Sequence, residues 1–145
     1  MKKEEIEANK IYSTTTYKTL KEVVEKLDKI KNNDLRQRDF ILRLGVYITN
    51  HSGRILVTFG EDKKLNSCMV ISRHLDKFGE YLWVDFAWID AHYRHLGFLY
   101  EKAIMNVCKI GGIKRVQARM NKGYNAMEKI WGTKVIAKIV EREVK

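Results

Sequence analysis

The residues able to do chemistry in this chain concentrate between Asp85 and Leu99. An apolar run, Tyr81–Ile89, is broken only by the carboxylate of Asp85, and the polar stretch Asp90–Gly97 follows it. A strand that feeds a glycine-containing turn and then a helix leaves several main-chain N–H groups aimed at one place. Together with the positive end of the helix dipole they make a site for phosphate oxygens. Arg94, His95, Leu96, Gly97, Phe98 and Leu99 form that junction, and the absent side chain of Gly97 lets a ligand approach the backbone closely. Taken alone the signal is weak, because Arg-x-x-Gly is a common tetrapeptide and many such turns hold glycine for geometry.

Asp85 is the candidate general base, being the only charged residue in the apolar run. Desolvation favours the neutral form of a carboxyl group, which suits proton acceptance near neutral pH. The competing reading is a surface-facing carboxylate at an unburied end of the strand. Period-two alternation puts Asp85 on one face with Tyr81, Trp83, Ala87 and Ile89. Trp83 and Trp88 line either an acceptor pocket or the core. His92 and His95 flank the turn, open to phosphate or to solvent, whereas His51 and His74 read as loop residues. Cys68 and Cys108 lie on apolar patterns and read as buried, inert thiols. Two cysteines suit a reducing cytoplasm and offer no metal-cluster spacing, so no metal is expected.

These residues need elements to position them. Thr19–Lys31 carries Leu20, Val23, Val24, Leu27 and Ile30 at helical spacing. Asp34 then caps a second helix with Leu35, Ile41, Leu42, Leu44 and Ile48, ending near His51-Ser52-Gly53, with a strand at Gly45–Thr49 as the rival reading. Arg54–Gly60 and Leu65–Arg73 read as strands joined by the turn Glu61–Lys64, and Tyr81–Ile89 as a central strand, apolar on both faces. The next helix aligns Leu99, Ala103, Val107 and Ile110 and stops at Gly111-Gly112. Ile113–Met120 is a strand, Tyr124–Trp131 a short helix and Thr133–Val144 a last strand. The expected architecture is α/β (α+β): a mixed, mostly antiparallel central sheet with helices on both faces. One β-α-β crossover links Tyr81–Ile89 to Ile113–Met120.

Composition bounds the class. The 145 residues, 45% hydrophobic and 32% charged, suit one compact domain spanning 1–145. A chain of this length buries roughly 68–70% of its unfolded surface without help from disulfides or metals. No apolar run approaches the roughly 20 residues of a membrane span, so neither membrane association nor, from the polar start, a signal peptide is expected. The net charge is +10, and from Lys109 onward ten basic residues face only Glu128, Glu141 and Glu143. A basic surface attracts anions: nucleic acid, acidic lipid or a polyphosphate cofactor.

In context, Trp88-Ile-Asp-Ala-His-Tyr-Arg-His-Leu-Gly-Phe-Leu99 resembles the central motif of the GNAT (GCN5-related N-acetyltransferase) family. Ile89 stands for the family's valine, and Tyr93, Arg94 and Gly97 match as they stand. Gly112–Val116, Asn121 and Gly132 resemble its second half, and Thr58–Val70 its acidic turn followed by a strand. The resemblance implies an acetyl-CoA co-substrate whose pyrophosphate rests on main-chain N–H groups from His95 to Leu99, with Arg94 shaping the turn and Asn121 further along. It implies a pantetheine arm paired with the backbone of Ala87, Trp88 and Ile89, and direct acetyl transfer to a primary amine of a small molecule or protein. Three positions depart from the pattern. Ala91 replaces a proline, and Leu99 stands where glycine or alanine is preferred. Glu128 occupies the place of the tyrosine that often protonates the leaving thiolate, so Tyr124, one turn earlier, either substitutes or packs. These departures motivate a second reading, a GNAT-fold module without catalysis that binds nucleic acid or protein through its basic end.

Overall fold

The computed structural model describes residues 6–14, 17–26, 37–118 and 142. Among them the elements run β1 (Tyr12–Thr14), α1 (Tyr17–Lys26), α2 (Gln37–Thr49), β2 (Gly53–Phe59), β3 (Leu65–Asp76), β4 (Gly79–Ile89), α3 (Gly97–Gly111) and β5 (Val116–Ala118). Neighbouring strands in the sheet follow chain order, β1-β2-β3-β4-β5. β1 to β4 pair antiparallel, and β5 joins β4 in parallel through Leu82↔Val116, Trp83↔Gln117 and Val84↔Ala118. The mixed sheet and the β-α-β crossover stand as expected.

Each sheet face buries its own core. Val23 of α1 and Leu44 of α2 pack with Ile55, Val57, Cys68, Val70 and Phe86 on one side. Tyr100, Ile104 and Cys108 of α3 pack with Leu56, Met69, Ile71 and Leu82 on the other. Helices therefore cover both faces. The second helix is a helix through Thr49, and its rival as a strand falls away. Its apolar residues do not all point inward: Leu44 is buried, while Ile41, Leu42 and Val46 are more than half exposed.

Several expected boundaries shift, each for a physical reason. β1 precedes the helices, a three-residue edge strand too short to show any alternation. The β3–β4 hairpin is longer than its apolar run suggests, turning at Lys77-Phe78. Polar contacts carry it past Arg73: Arg73 of β3 bonds Glu80 of β4 at 2.7 Å, and Arg115, just before β5, bonds Asp76 at 2.6 Å. His74 is thus a strand residue rather than a loop residue. On α3 the buried stripe is Tyr100, Ile104 and Cys108, one position round from the expected face, and Ile110 is 80% exposed. The Tyr100 hydroxyl fixes that rotation by meeting Ser67 Oγ of β3 at 2.7 Å. The stop at Gly111-Gly112 holds: Gly112 is left-handed (φ 67°) and donates its N–H to the Cys108 carbonyl. The expected helix Tyr124–Trp131 and strand Thr133–Val144 lie outside the described residues, as do Asn121, Tyr124 and Glu128.

Candidate active site

The junction that follows β4 is built, not loose. Asp90 donates its N–H to the Asn66 carbonyl at 2.9 Å, prolonging the β3–β4 ladder, and its carboxylate accepts from the His92 N–H at 3.0 Å. Residues Ala91–Leu96, expected as a loop, form a 3-10 turn that runs directly into α3. An Asp cap and a backbone bond from Tyr93 N–H to the Asp90 carbonyl (2.8 Å) start it. Leu96 is buried and pins the turn to the core, while Ala91, His92, Arg94 and His95 face solvent.

Gly97 opens α3 with φ −54° and ψ −38°, helical values that any residue adopts. A side-chain carbon placed there would meet only Ile89 Cδ1, at 4.0 Å. Neither backbone strain nor packing requires glycine at this position. Its own N–H is donated to the Arg94 carbonyl, and no side chain caps the start of α3. Arg94 is exposed and forms no ion pair among the described residues, leaving a cation beside the helix start. Phe98 is half exposed with the Lys102 ammonium 5.4 Å from its ring centre, and Leu99 is half-buried. From Phe98 an open concavity of about 430 Å³ runs along α3, edged by Lys102, Met105 and Lys109.

Ala87, Trp88 and Ile89 form the end of β4 that leads into this turn. On one edge they pair with Met69, Cys68 and Ser67 of β3. On the other edge, the described pairing with β5 covers Leu82–Val84. Ala87 is exposed; Trp88 joins the core under α1, with the Lys26 ammonium 5.0 Å from its ring.

Asp85 sits on a β-bulge. Val70 opposes Phe86 and Ile71 opposes Val84, so Asp85 is the extra residue with no partner in β3. The bulge reverses the alternation beyond it. Leu82 and Val84 pack toward α3, whereas Phe86 and Trp88 pack toward α1 and α2. Asp85 therefore shares the α2 side with Tyr81 but not with Ile89, which packs toward α3, and the uniform face expected from period two is corrected here. Its side chain is fully buried (0% exposed). Arg43 Nη1 (2.8 Å) and the Tyr47 hydroxyl (3.0 Å) donate to Oδ1, and the Ser72 hydroxyl (2.7 Å) donates to Oδ2. His74 Nε2 lies 2.7 Å from the same Ser72 oxygen. Burial, the largest influence, raises the Tyr47 phenol, which keeps its proton at neutral pH.

The sequence singled out Asp85 as a candidate but none of its hydrogen-bond partners. Arg43 and Tyr47 are four apart on α2 and face the sheet together, a relation visible only once the helix is docked. The His74/Ser72 spacing of two on one strand was a usable signal, hidden by the reading of His74 as loop. Cys68 and Cys108 are buried and unpaired, and burial pushes the Cys68 thiol up to about 12. Among the described residues no group of His, Cys, Asp and Glu is placed to hold a metal ion, and no helix is long and apolar enough to cross a membrane.

A strand, a 3-10 turn and a helix leading to a parallel partner strand make a β-α-β crossover on an otherwise antiparallel sheet, and solved structures of acetyltransferases share this fold. No protein-family model and no curated protein matches the chain. Glucosamine-6-phosphate N-acetyltransferase from Arabidopsis thaliana is 15% identical, with 94% of this chain and 98% of that one covered at a TM-score of 0.70. An aminoglycoside 6'-N-acetyltransferase from Acinetobacter haemolyticus is 11% identical over 94% and 98%, TM-score 0.73. A predicted acetyltransferase from Clostridium acetobutylicum, solved with acetyl-CoA, is 11% identical over 92% and 96%, TM-score 0.74. The chain has the fold of these enzymes, and the resemblance to the GNAT family stands at the level of the fold.

Proposed function

We propose that the protein is an acetyl-CoA-dependent N-acetyltransferase acting on a primary amine. Gly97 carries this reading. It is bare at a helix start where neither conformation nor packing calls for glycine, so its remaining use is to let a ligand reach the backbone. The CoA pyrophosphate rests on the main chain around His95, Leu96, Gly97, Phe98 and Leu99. Because the Gly97 N–H already serves Arg94, the neighbouring amides, the helix dipole and the Arg94 guanidinium supply the attraction. Asn121 contributes further along.

The pantetheine arm runs along Ala87–Ile89 toward the bulge. Four residues of strand span about 13 Å from Ile89 to Asp85. A main-chain N–H of β4 stabilises the oxyanion as the amine nitrogen bonds to the thioester carbon. The C–S bond then breaks, and the thiolate takes a proton, for which Tyr124 is the proposed donor. The proton lost by the ammonium is accepted by the group centred on Asp85, whose burial and three donors fix the carboxylate in place. Two unpaired cysteines suit work in the reducing cytoplasm. Titration calorimetry with acetyl-CoA tests the reading: the protein binds, and Gly97→Glu does not. No heat at millimolar ligand would leave the rival reading, a basic module retained on nucleic acid in a salt-dependent way.

A further inference from the structure

Asp85, Ser72 and His74 form a hydrogen-bonded chain whose proton count can be worked out. Ser72 Oγ stands 2.7 Å from Asp85 Oδ2 and 2.7 Å from His74 Nε2. Two hydrogen bonds need two protons, and the serine hydroxyl supplies one. The second sits either on Asp85 or on His74 Nε2. All three groups on the Asp85 carboxylate donate to it, Arg43 and Tyr47 to Oδ1 and Ser72 to Oδ2. Ser72 then donates to Asp85 and accepts from His74, so Nε2 carries the hydrogen. In the neutral ring, Nδ1 is left with a lone pair, and Nδ1 has no hydrogen-bond partner among the described residues.

Position agrees with use. Asp85 and Ser72 are buried, whereas His74 is half-buried, so the chain leads from the interior toward the surface. The imidazole is held on two sides. It stacks on Tyr81 at 5.6 Å between ring centres and meets Tyr47 edge-on at 6.3 Å. The titratable and charged groups facing it are Tyr47 and Arg43 of α2 and Tyr81 and Asp85 of β4. Among the described residues Arg115, whose guanidinium lies 5.3 Å from the Tyr81 ring, completes the set.

We propose that His74 is a catalytic residue: its Nδ1 accepts the proton of the acceptor amine, while Ser72 and Asp85 are positioning residues that fix its tautomer. This deepens the acetyltransferase reading and rests on it. As the amine nitrogen bonds to the acetyl carbon, its N–H bond breaks and the proton moves to Nδ1. The ring becomes an imidazolium facing the Asp85 carboxylate through Ser72. The proton then passes to solvent.

Two measurements decide it. Long-range proton–nitrogen correlation spectra of histidine-labelled protein should show neutral His74 as the Nε2–H tautomer, with the preference lost in Ser72→Ala. The Nδ1–H tautomer overturns the proposal whatever the activity. His74→Gln should lower turnover with an amine by about 100-fold. Its acetyl-CoA affinity and melting temperature should match the unsubstituted protein. Full turnover in His74→Gln overturns this assignment alone. Absence of CoA release from the unsubstituted protein with every amine overturns the acetyltransferase reading together with it.

Discussion

A methyl group at Gly97 would enter space bordered only by Ile89 Cδ1, on backbone already helical. Gly97→Ala should therefore stabilise the fold, by about 0.4–1 kcal/mol, through the smaller entropy of the unfolded chain. The same methyl group should weaken acetyl-CoA, so thermal melting and calorimetry should move in opposite directions. Asp85→Asn is expected to lower turnover by about 100-fold or more, with acetyl-CoA affinity nearly unchanged. Thiol release measured beside calorimetry checks this. The Cys68 thiol should resist alkylation at neutral pH until the protein unfolds, since burial holds it near 12. At this scale the sequence already marked Gly97 and Asp85. It could not show the bulge, because the residues around Asp85 are apolar for both faces and hide a change of phase. Nor could it show the three donors on the Asp85 carboxylate, which come from α2 and from β3.

Among the elements, α3 carries the turn, and Tyr100, Ile104 and Cys108 hold it to the sheet. Ile104→Ala should cost about 2–5 kcal/mol, read as a fall in denaturation midpoint, because the side chain is fully buried (0% exposed). Burial raises both the Tyr100 phenol and the Cys68 thiol above their ordinary values. A group with a raised folded pKa contributes stability that is complete below its unfolded pKa and lost as pH rises through the folded one. Stability should thus decline from about pH 9 upward, and less steeply in Tyr100→Phe, in alkaline melting experiments. Asp76 has the opposite sign. Arg115 holds its carboxyl below the ordinary value, so that contribution is present above about pH 4 and fades as pH falls. The helices and the three long strands were legible because each carries an apolar run or an apolar repeat over seven residues or more. β1 and the 3-10 turn were not, since three residues of strand and a turn set by one Asp cap leave no periodicity to read. The hairpin end escaped for another reason: its strands continue on ion pairs instead of apolar residues.

For the molecule as a whole, the +10 charge favours anionic ligands, and CoA is one. Acetyl-CoA affinity should weaken moderately between low and physiological salt, since screening shortens the reach of charges outside the turn to about 8 Å. A steep loss of binding to nucleic acid over the same range, without CoA release, would favour the rival module. The fold class was legible because one strand–turn–helix junction and one parallel crossover leave few ways to complete the sheet. The acceptor was not: no motif encodes it, and side chains of α2 meet Asp85 of β4 only once the helix docks on the sheet. The most direct measurement is calorimetric titration of acetyl-CoA into the protein and into Gly97→Glu at matched salt. Saturable binding that the substitution abolishes, with the circular dichroism unchanged, is the predicted result. Equal binding by both proteins, or none by either, would contradict the claim that the turn at Gly97 holds the cofactor.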